Sequence, residues 1–162
     1  MPDLKKYDRI LDALHQLLED QTLQNISVSD IAKKAGIGKG SIYYYFPSKE
    51  AILDALIERN YEKPLKTAKS LAGQTEISPF TRMAMILQAC RNSSDAFLSQ
   101  DNTVTANAQE SAFLHQKYMN HLIAELKPSL TEIIRQGIAA GEIHFEYPAA
   151  LAEIVLIVLA VK

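Results

Sequence analysis

Apolar residues along this chain recur every three or four positions, the spacing that lays a stripe down one face of an α-helix. Leu4, Tyr7, Leu11, Leu14 and Leu18 form the first stripe, and the polar stretch 21–25 breaks it. Ser27 then stands where an N-cap belongs, with Asp30 three residues on and Val28, Ile31, Ala32 and Ala35 following. This second helix is short and stops at Gly36, which can take the left-handed conformation of a sharp exit. A third helix follows at once over about 39–46. Pro47 ends it, and Ser48 caps a fourth helix carrying Leu53, Leu56 and Ile57.

Helical spacing continues beyond Tyr61. Pro64 predicts a kink or a break, 72–78 reads as a linker, and Ser78-Pro79 is an N-cap followed by a first-turn proline. A helix from Pro79 to about 98 carries Met83, Ile86, Leu87 and Cys90, and the polar stretch 101–107 reads as a loop. Two more helices are expected at about 109–126 and 128–140, the second closed by Gly141, and a last one starts at Pro148. No stretch alternates with the period of a strand and no internal repeat is found, so the expected fold is all-α.

Composition leaves this picture intact and excludes others. Hydrophobic residues make up 48% and charged residues 22% of the 162, an ordinary globular balance. Cys90 is the single cysteine, which rules out an internal disulfide or a Cys-based zinc site. The start, Met-Pro-Asp-Leu-Lys-Lys, has no apolar signal core, and the longest apolar run, 154–161, is too short to span a bilayer. The expected location is the cytoplasm, with no membrane partner. Charge placement says more than the net −2: residues 27–50 carry Lys33, Lys34, Lys39 and Lys49 against Asp30 and Glu50, a basic patch of +2 on a chain whose remainder carries −4. Nucleic-acid binding through that patch would rest on geometry and on dimerisation more than on bulk attraction.

Two short helices joined by a glycine turn, the second rich in small and hydrogen-bonding residues, form the helix-turn-helix pattern. Ser27, Ile31-Ala32, Ala35-Gly36-Ile37, Ile42-Tyr43, Tyr45-Phe46 and Lys49 together resemble the TetR/AcrR family of transcriptional regulators. Gly38 departs from that pattern, where a hydroxyl residue usually caps the third helix; glycine keeps the turn at a cost of a few tenths of a kcal/mol. The resemblance extends, more weakly, to Leu130–Ile143 and to the apolar helix from Pro148, which resembles the helix that builds the family's dimer. It implies a three-helix DNA-binding head at 1–47 and a helical effector-binding and dimerising body at 48–162, whose first helix connects to the head. The family usually supplies one more long helix after this point, so either the sequence continues beyond Lys162 or this member is short.

At 100° per residue, Ile42 and Phe46 face the inside of the third helix, and Gly40, Ser41 and Tyr44 point the other way with Tyr43 and Tyr45 on the flanks. The resemblance implies that Lys39, Gly40, Ser41 and Tyr45 sit over base edges and that Ser27, Tyr43 and Lys49 hold phosphates. Ser29 matches a position that can reach a base. Between geometry and resemblance, Tyr43 and Tyr45 rank ahead of Tyr44. The chemistry suits these roles: a helix-start serine offers a hydroxyl and free N–H groups, lysine donates to the O6 and N7 of guanine, and tyrosine joins a donor to an apolar ring. Plainer readings stand beside them. Ser27 can be a cap alone, Lys33 and Lys34 can be solvated, and tyrosines can be packing residues, although one short helix cannot bury three consecutive directions.

Other chemistry finds no support. Gly36-Ile-Gly-Lys-Gly-Ser41 has the wrong spacing for a phosphate loop and follows a helix. His15, His115, His121 and His144 show no metal spacing, Cys90 reads as an inert core thiol, and no catalytic constellation or cofactor is expected. An effector pocket in the body would draw on Met83, Cys90, Phe97, Phe113, His115, Tyr118 and His121, apolar with a few polar tips. The expected function is a homodimeric regulator, a repressor released from a palindromic operator on double-stranded DNA by a small-molecule effector. A helix-turn-helix used for protein contact and a ligand-binding protein without DNA binding are the alternatives.

Overall fold

The computed structural model describes residues 3–98 and 108–160, and all regular structure among them is helical. Its helices are α1 (Leu4–Asp20), α2 (Val28–Ala35), α3 (Lys39–Tyr45), α4 (Lys49–Ala72), α5 (Pro79–Leu98), α6 (Ala108–Ala139) and α7 (Pro148–Ala160), with a 3-10 turn at Leu23–Asn25. The loop expected at 101–107 lies outside the described residues. The chain divides into two compact units, one formed by 3–59 with 108–111 and the other by 60–98 with 112–160. The first therefore runs well past Pro47, because Ile52, Leu53, Leu56 and Ile57 on the first half of α4 are buried.

In the first unit Asp3 caps α1 by accepting from Lys5 N at 3.0 Å, and the buried residues of α1 are Ile10, Leu11, Ala13 and Leu14. Leu4, the expected start of the stripe, is exposed. α2 begins with a reciprocal capping box: Asp30 N donates to Ser27 Oγ at 3.0 Å and Ser27 N donates to Asp30 Oδ2 at 2.8 Å. The Ser27 backbone N–H, and after it the Ser27 side chain, hold the Asp30 carboxyl below its ordinary value. Gly36 ends α2 at φ 65°, and Arg9 Nη2 reaches back from α1 to donate to the Ala35 carbonyl at 2.5 Å. Ser48 caps α4 by accepting from Ala51 N at 3.1 Å.

Of the kink or break expected at Pro64 the break does not occur, since α4 continues through it, and the two helices expected around Pro128 need correcting to one continuous α6 of 32 residues. A proline inside a helix costs about 3 kcal/mol through its missing N–H and its clash with the carbonyl four residues back. On α6 Tyr118, Met119, Leu122, Leu126, Leu130, Ile133 and Ile134 are all buried on both sides of Pro128. Each such side chain stabilises by about 1.5–3 kcal/mol, so one uninterrupted apolar face outweighs the local penalty.

In the second unit Phe97 stacks on Tyr118 with ring centroids 5.4 Å apart, and Tyr61 meets Tyr118 edge-on at 6.3 Å. Burial pushes both the Tyr118 phenol and the Cys90 thiol up to about 12. Arg82, 2% exposed, donates from Nη1 to Gln136 Oε1 at 2.6 Å and to the Leu71 carbonyl at 3.3 Å. Gln136 Nε2 donates to the Ala72 carbonyl at 3.0 Å, so a cation and an amide close the C-terminal end of α4, where the helix ladder leaves carbonyls without partners. On α7 only Ala152, Leu156 and Leu159 are buried. Ile154 and Ile157 are each 53% exposed and Val158 62%, so within one chain this helix is covered on one side.

Candidate nucleic-acid interface

The helix-turn-helix is held by a small set of buried contacts. Ile31, Ala32 and Ala35 of α2 and Ile42 of α3 are buried with Ile10, Leu11 and Leu14 of α1. Phe46 closes α3, its N–H donating to the Ile42 carbonyl at 2.9 Å, and its ring lies 4.9 Å from that of Tyr7. Because Ile42 is fully buried, the helical period turns Lys39, Gly40, Ser41, Tyr43 and Tyr44 outward, and all five are exposed.

The three tyrosines separate by environment. Tyr44 is 69% and Tyr43 50% exposed, whereas Tyr45 is half-buried against α1. Tyr45 Oη accepts from Asp3 N at 3.0 Å, and its ring stands edge-on to Tyr7 at 6.5 Å and to Tyr44 at 5.3 Å. Tyr44, ranked third from the sequence, is the outermost aromatic on α3, and Tyr45 is engaged with α1.

Ser27 and Ser29 are exposed at the start of α2. Ser27 Oγ accepts from Asp30 N, and the N–H groups of Val28 and Ser29 lie in the first turn, where the ladder offers no acceptor. This is a donor-rich corner suited to an anion, flanked by α3. Lys49 is half-buried, and its Nζ donates to the carbonyls of Leu23 at 2.7 Å and Ile26 at 2.9 Å. An ammonium has three donors, so one remains for a further acceptor. The same 3-10 turn is held from its other side, where Leu23 N donates to Glu110 Oε1 at the start of α6. Neither the Glu110 bond nor the Arg9 clamp on α2 was expected, and neither has a periodic signal that reveals it.

Gly38 and Gly40 differ from Gly36. A Cβ on Gly36 would meet Arg9 Nη2 at 3.1 Å at a positive φ, whereas a Cβ on Gly38 or Gly40 would meet nothing within 4 Å. Neither packing nor backbone conformation inside the protein demands glycine at position 40, which leaves the surface of α3 low at that point.

The effector candidates divide: Phe97 stacks on Tyr118 with Cys90 nearby, and the others differ in exposure. Cys90, Phe97 and Tyr118 are buried, Met83, His115 and His121 are half-buried, and Phe113 is 53% exposed with Lys117 Nζ 6.0 Å from its ring centre. A cleft of about 370 Å³ opens instead between α4 and α5, and none of the seven is among its lining residues. Among the described residues no three His, Cys, Asp or Glu side chains could hold a metal, and no helix is long and apolar enough to cross a membrane.

Residues 10–56 match the model of the family described as bacterial regulatory proteins, tetR family, and residues 94–161 match that of the tetracyclin repressor-like C-terminal domain. The HTH-type transcriptional regulator EthR of Mycobacterium tuberculosis is 54% identical over 50 residues, which are 31% of this chain and 23% of that protein, so the match spans less than a quarter of the relative's length. The fatty acid degradation regulator FadR from Bacillus halodurans superimposes with a TM-score of 0.70 at 22% identity, covering 96% of this chain and 80% of that one. FadR from Bacillus subtilis, solved in complex with stearoyl-CoA, gives 0.61 at 22% identity, covering 95% and 97%. At these identities the two structures establish the shared fold.

Proposed function

Because this chain belongs to the TetR family of DNA-binding transcriptional regulators, which are not enzymes, we propose that it is a homodimeric repressor, released from a palindromic operator when a small molecule binds its body. The observation that carries this reading is the outward face of α3, where Lys39, Gly40, Ser41, Tyr43 and Tyr44 are exposed opposite the fully buried Ile42. A rigid helix with one polar side and an anchored back is the form that enters a major groove.

In this reading Lys39, Ser41 and Tyr44 meet base edges, with Gly40 letting the backbone come close, Tyr43 on the flank and Ser29 reaching from α2. Ser27 and the third donor of Lys49 hold phosphates. Tyr45 steadies α3 against α1 and adds its ring edge. Residues 1–47, together with Lys49 at the start of α4, carry the DNA contacts, and the rest of 48–162 the effector and the dimer interface, in the cytoplasm. The apolar face of α7 that a single chain leaves exposed, Ile154, Ile157 and Val158, supplies the surface a second copy covers. Two heads then meet half-sites about one helical turn, roughly 34 Å, apart. An effector that prefers a form with another head spacing releases the DNA. The complex of the Bacillus subtilis FadR with stearoyl-CoA supports a ligand in a body of this fold.

Fluorescence anisotropy with a duplex from the region upstream of its own reading frame tests the proposal at low and high salt. The expected result is tight binding over a scrambled duplex, a steep salt dependence, and altered sequence preference for Ser41→Ala and Tyr44→Ala. Equal affinity for the scrambled duplex sinks it.

A further inference from the structure

Pro64 lies inside α4, so the carbonyl of Asn60, four residues earlier, has no N–H to accept from in the helix ladder. Its partner comes from α5: Ser93 Oγ stands 2.7 Å from that carbonyl and 2.7 Å from Tyr118 Oη on α6. A carbonyl only accepts, so Ser93 gives its single proton to Asn60, and Tyr118 must donate to Ser93. Three helices of the body are thereby joined by a hydrogen-bond chain with one direction, anchored on the Asn60 carbonyl.

The cleft of about 370 Å³ opens at this junction, lined by Asn60, Lys63, Pro64 and Thr67 of α4 and by Asn92 and Ser93 of α5, among others. At about 30 Å³ per water, it holds a molecule of about a dozen non-hydrogen atoms. Its polar lining is biased toward donors. Lys63 is the one charged residue in it, and its ammonium makes no hydrogen bond or ion pair among the described residues. Thr67 donates back to the Lys63 carbonyl at 3.1 Å, and Asn92 Oδ1 already accepts from Gln88 at 2.8 Å, which leaves the Asn92 amide N–H groups to donate. An unpaired cation beside an open amide donor, with no carboxylate in the lining, suits an anion with a planar pair of acceptors.

We infer that this cleft binds a small organic carboxylate, with its charge between Lys63 and Asn92 and its polar body against the Asn60–Ser93 junction. Resting on the function proposed above, this ligand is the effector. A ligand hydroxyl or amine that donates to the Asn60 carbonyl takes the place of Ser93 there, and the tie from α4 to α5 and α6 loosens. α4 is also the helix whose first residue, Lys49, holds the 3-10 turn of the head.

The test is calorimetric titration of the full chain with lactate, malate, glutamate and benzoate, each beside its uncharged amide, and with inorganic phosphate. At least one carboxylate should bind at millimolar concentration or tighter, with its amide at least about tenfold weaker. Lys63→Gln should weaken that binding by about tenfold or more while leaving the unfolding midpoint unchanged, since Lys63 is exposed. Silence from every carboxylate, binding indifferent to Lys63→Gln, or a preference for phosphate overturns the site as assigned. Operator binding is measured first without ligand, so its failure speaks against the proposed function and leaves the cleft standing. A bound carboxylate that leaves operator affinity unchanged overturns the effector role.

Discussion

Replacing Gly40 by alanine separates what the fold requires at this position from what a partner requires. Gly40 is the second residue of α3, its φ is negative, and an added Cβ meets nothing within 4 Å. The protein therefore loses nothing by the change and gains helix propensity, worth 0.8–1.0 kcal/mol in a helix interior and about half that in a first turn. For a chain of this size 0.5 kcal/mol raises the melting temperature by about 1–2 °C. On DNA the sign reverses. A methyl between the backbone and a groove wall displaces the neighbouring Lys39 and Ser41 contacts, and the loss of one good contact, about 1.4 kcal/mol, is tenfold in Kd. Thermal unfolding and operator anisotropy on the same preparation read both effects. Gly36→Ala is the control with opposite stability, since its φ of 65° costs an L-residue about 1–2 kcal/mol. A Gly40→Ala protein that is more stable and binds the operator as tightly as before would refute the placement of this face of α3 against DNA.

Lys49→Met keeps the hydrocarbon stem and removes the donors to Leu23 and Ile26; the Leu23 carbonyl keeps the Ile26 N–H, whereas the carbonyl of buried Ile26 loses its donor, so the urea midpoint should correspond to a loss of about 1–3 kcal/mol, and an unchanged midpoint rejects the clamp. Asp30 has a lowered pKa, so its capping contribution is present above the unfolded value near 3.8 and disappears as pH falls through the lower folded value. The stability gap between wild type and Asp30→Asn should therefore narrow as urea midpoints are followed from about pH 5 to about pH 2, and a constant gap contradicts the capping box as the cause. Cys90, buried and with its thiol pushed up to about 12, should resist iodoacetamide at neutral pH until the chain unfolds; rapid alkylation of the native protein by mass spectrometry contradicts its burial.

How far the sequence could be read depended on the kind of interaction. Ser27, Gly36 and Ser48 were legible because caps and turns are set by residues within four positions of one another, and the structure uses each of them as a helix boundary. The order of the tyrosines was not legible. Periodicity separates Ile42 from its outward neighbours, but the half-turn of Tyr45 toward α1 depends on Tyr7 and Asp3, some forty residues away. The Lys49 clamp escaped for a similar reason: a first-turn lysine reads as a free charge unless one knows which carbonyls the 3-10 turn presents. The body was least legible, because an apolar residue on a helical stripe can be core or cavity wall alike, and the cleft beside Pro64, lined by small, polar and proline residues together, follows no stripe.

The prolines show how a local rule misleads and where its information lies. Reading Pro128 as a boundary, and a break as one of two outcomes at Pro64, weighed one lost hydrogen bond and ignored the buried residues on either side, whose combined stabilisation exceeds it several-fold. The rule nonetheless states which atom is left needy. A proline that stays helical frees the carbonyl four residues before it, and a buried carbonyl must find a donor elsewhere. For Pro64 that atom is Asn60 O, and a hydroxyl from another helix is the donor it finds. A proline inside an apolar periodic run is thus better read as a request for a cross-helix donor than as a boundary. In this chain that request is answered at the junction where a ligand can compete for it.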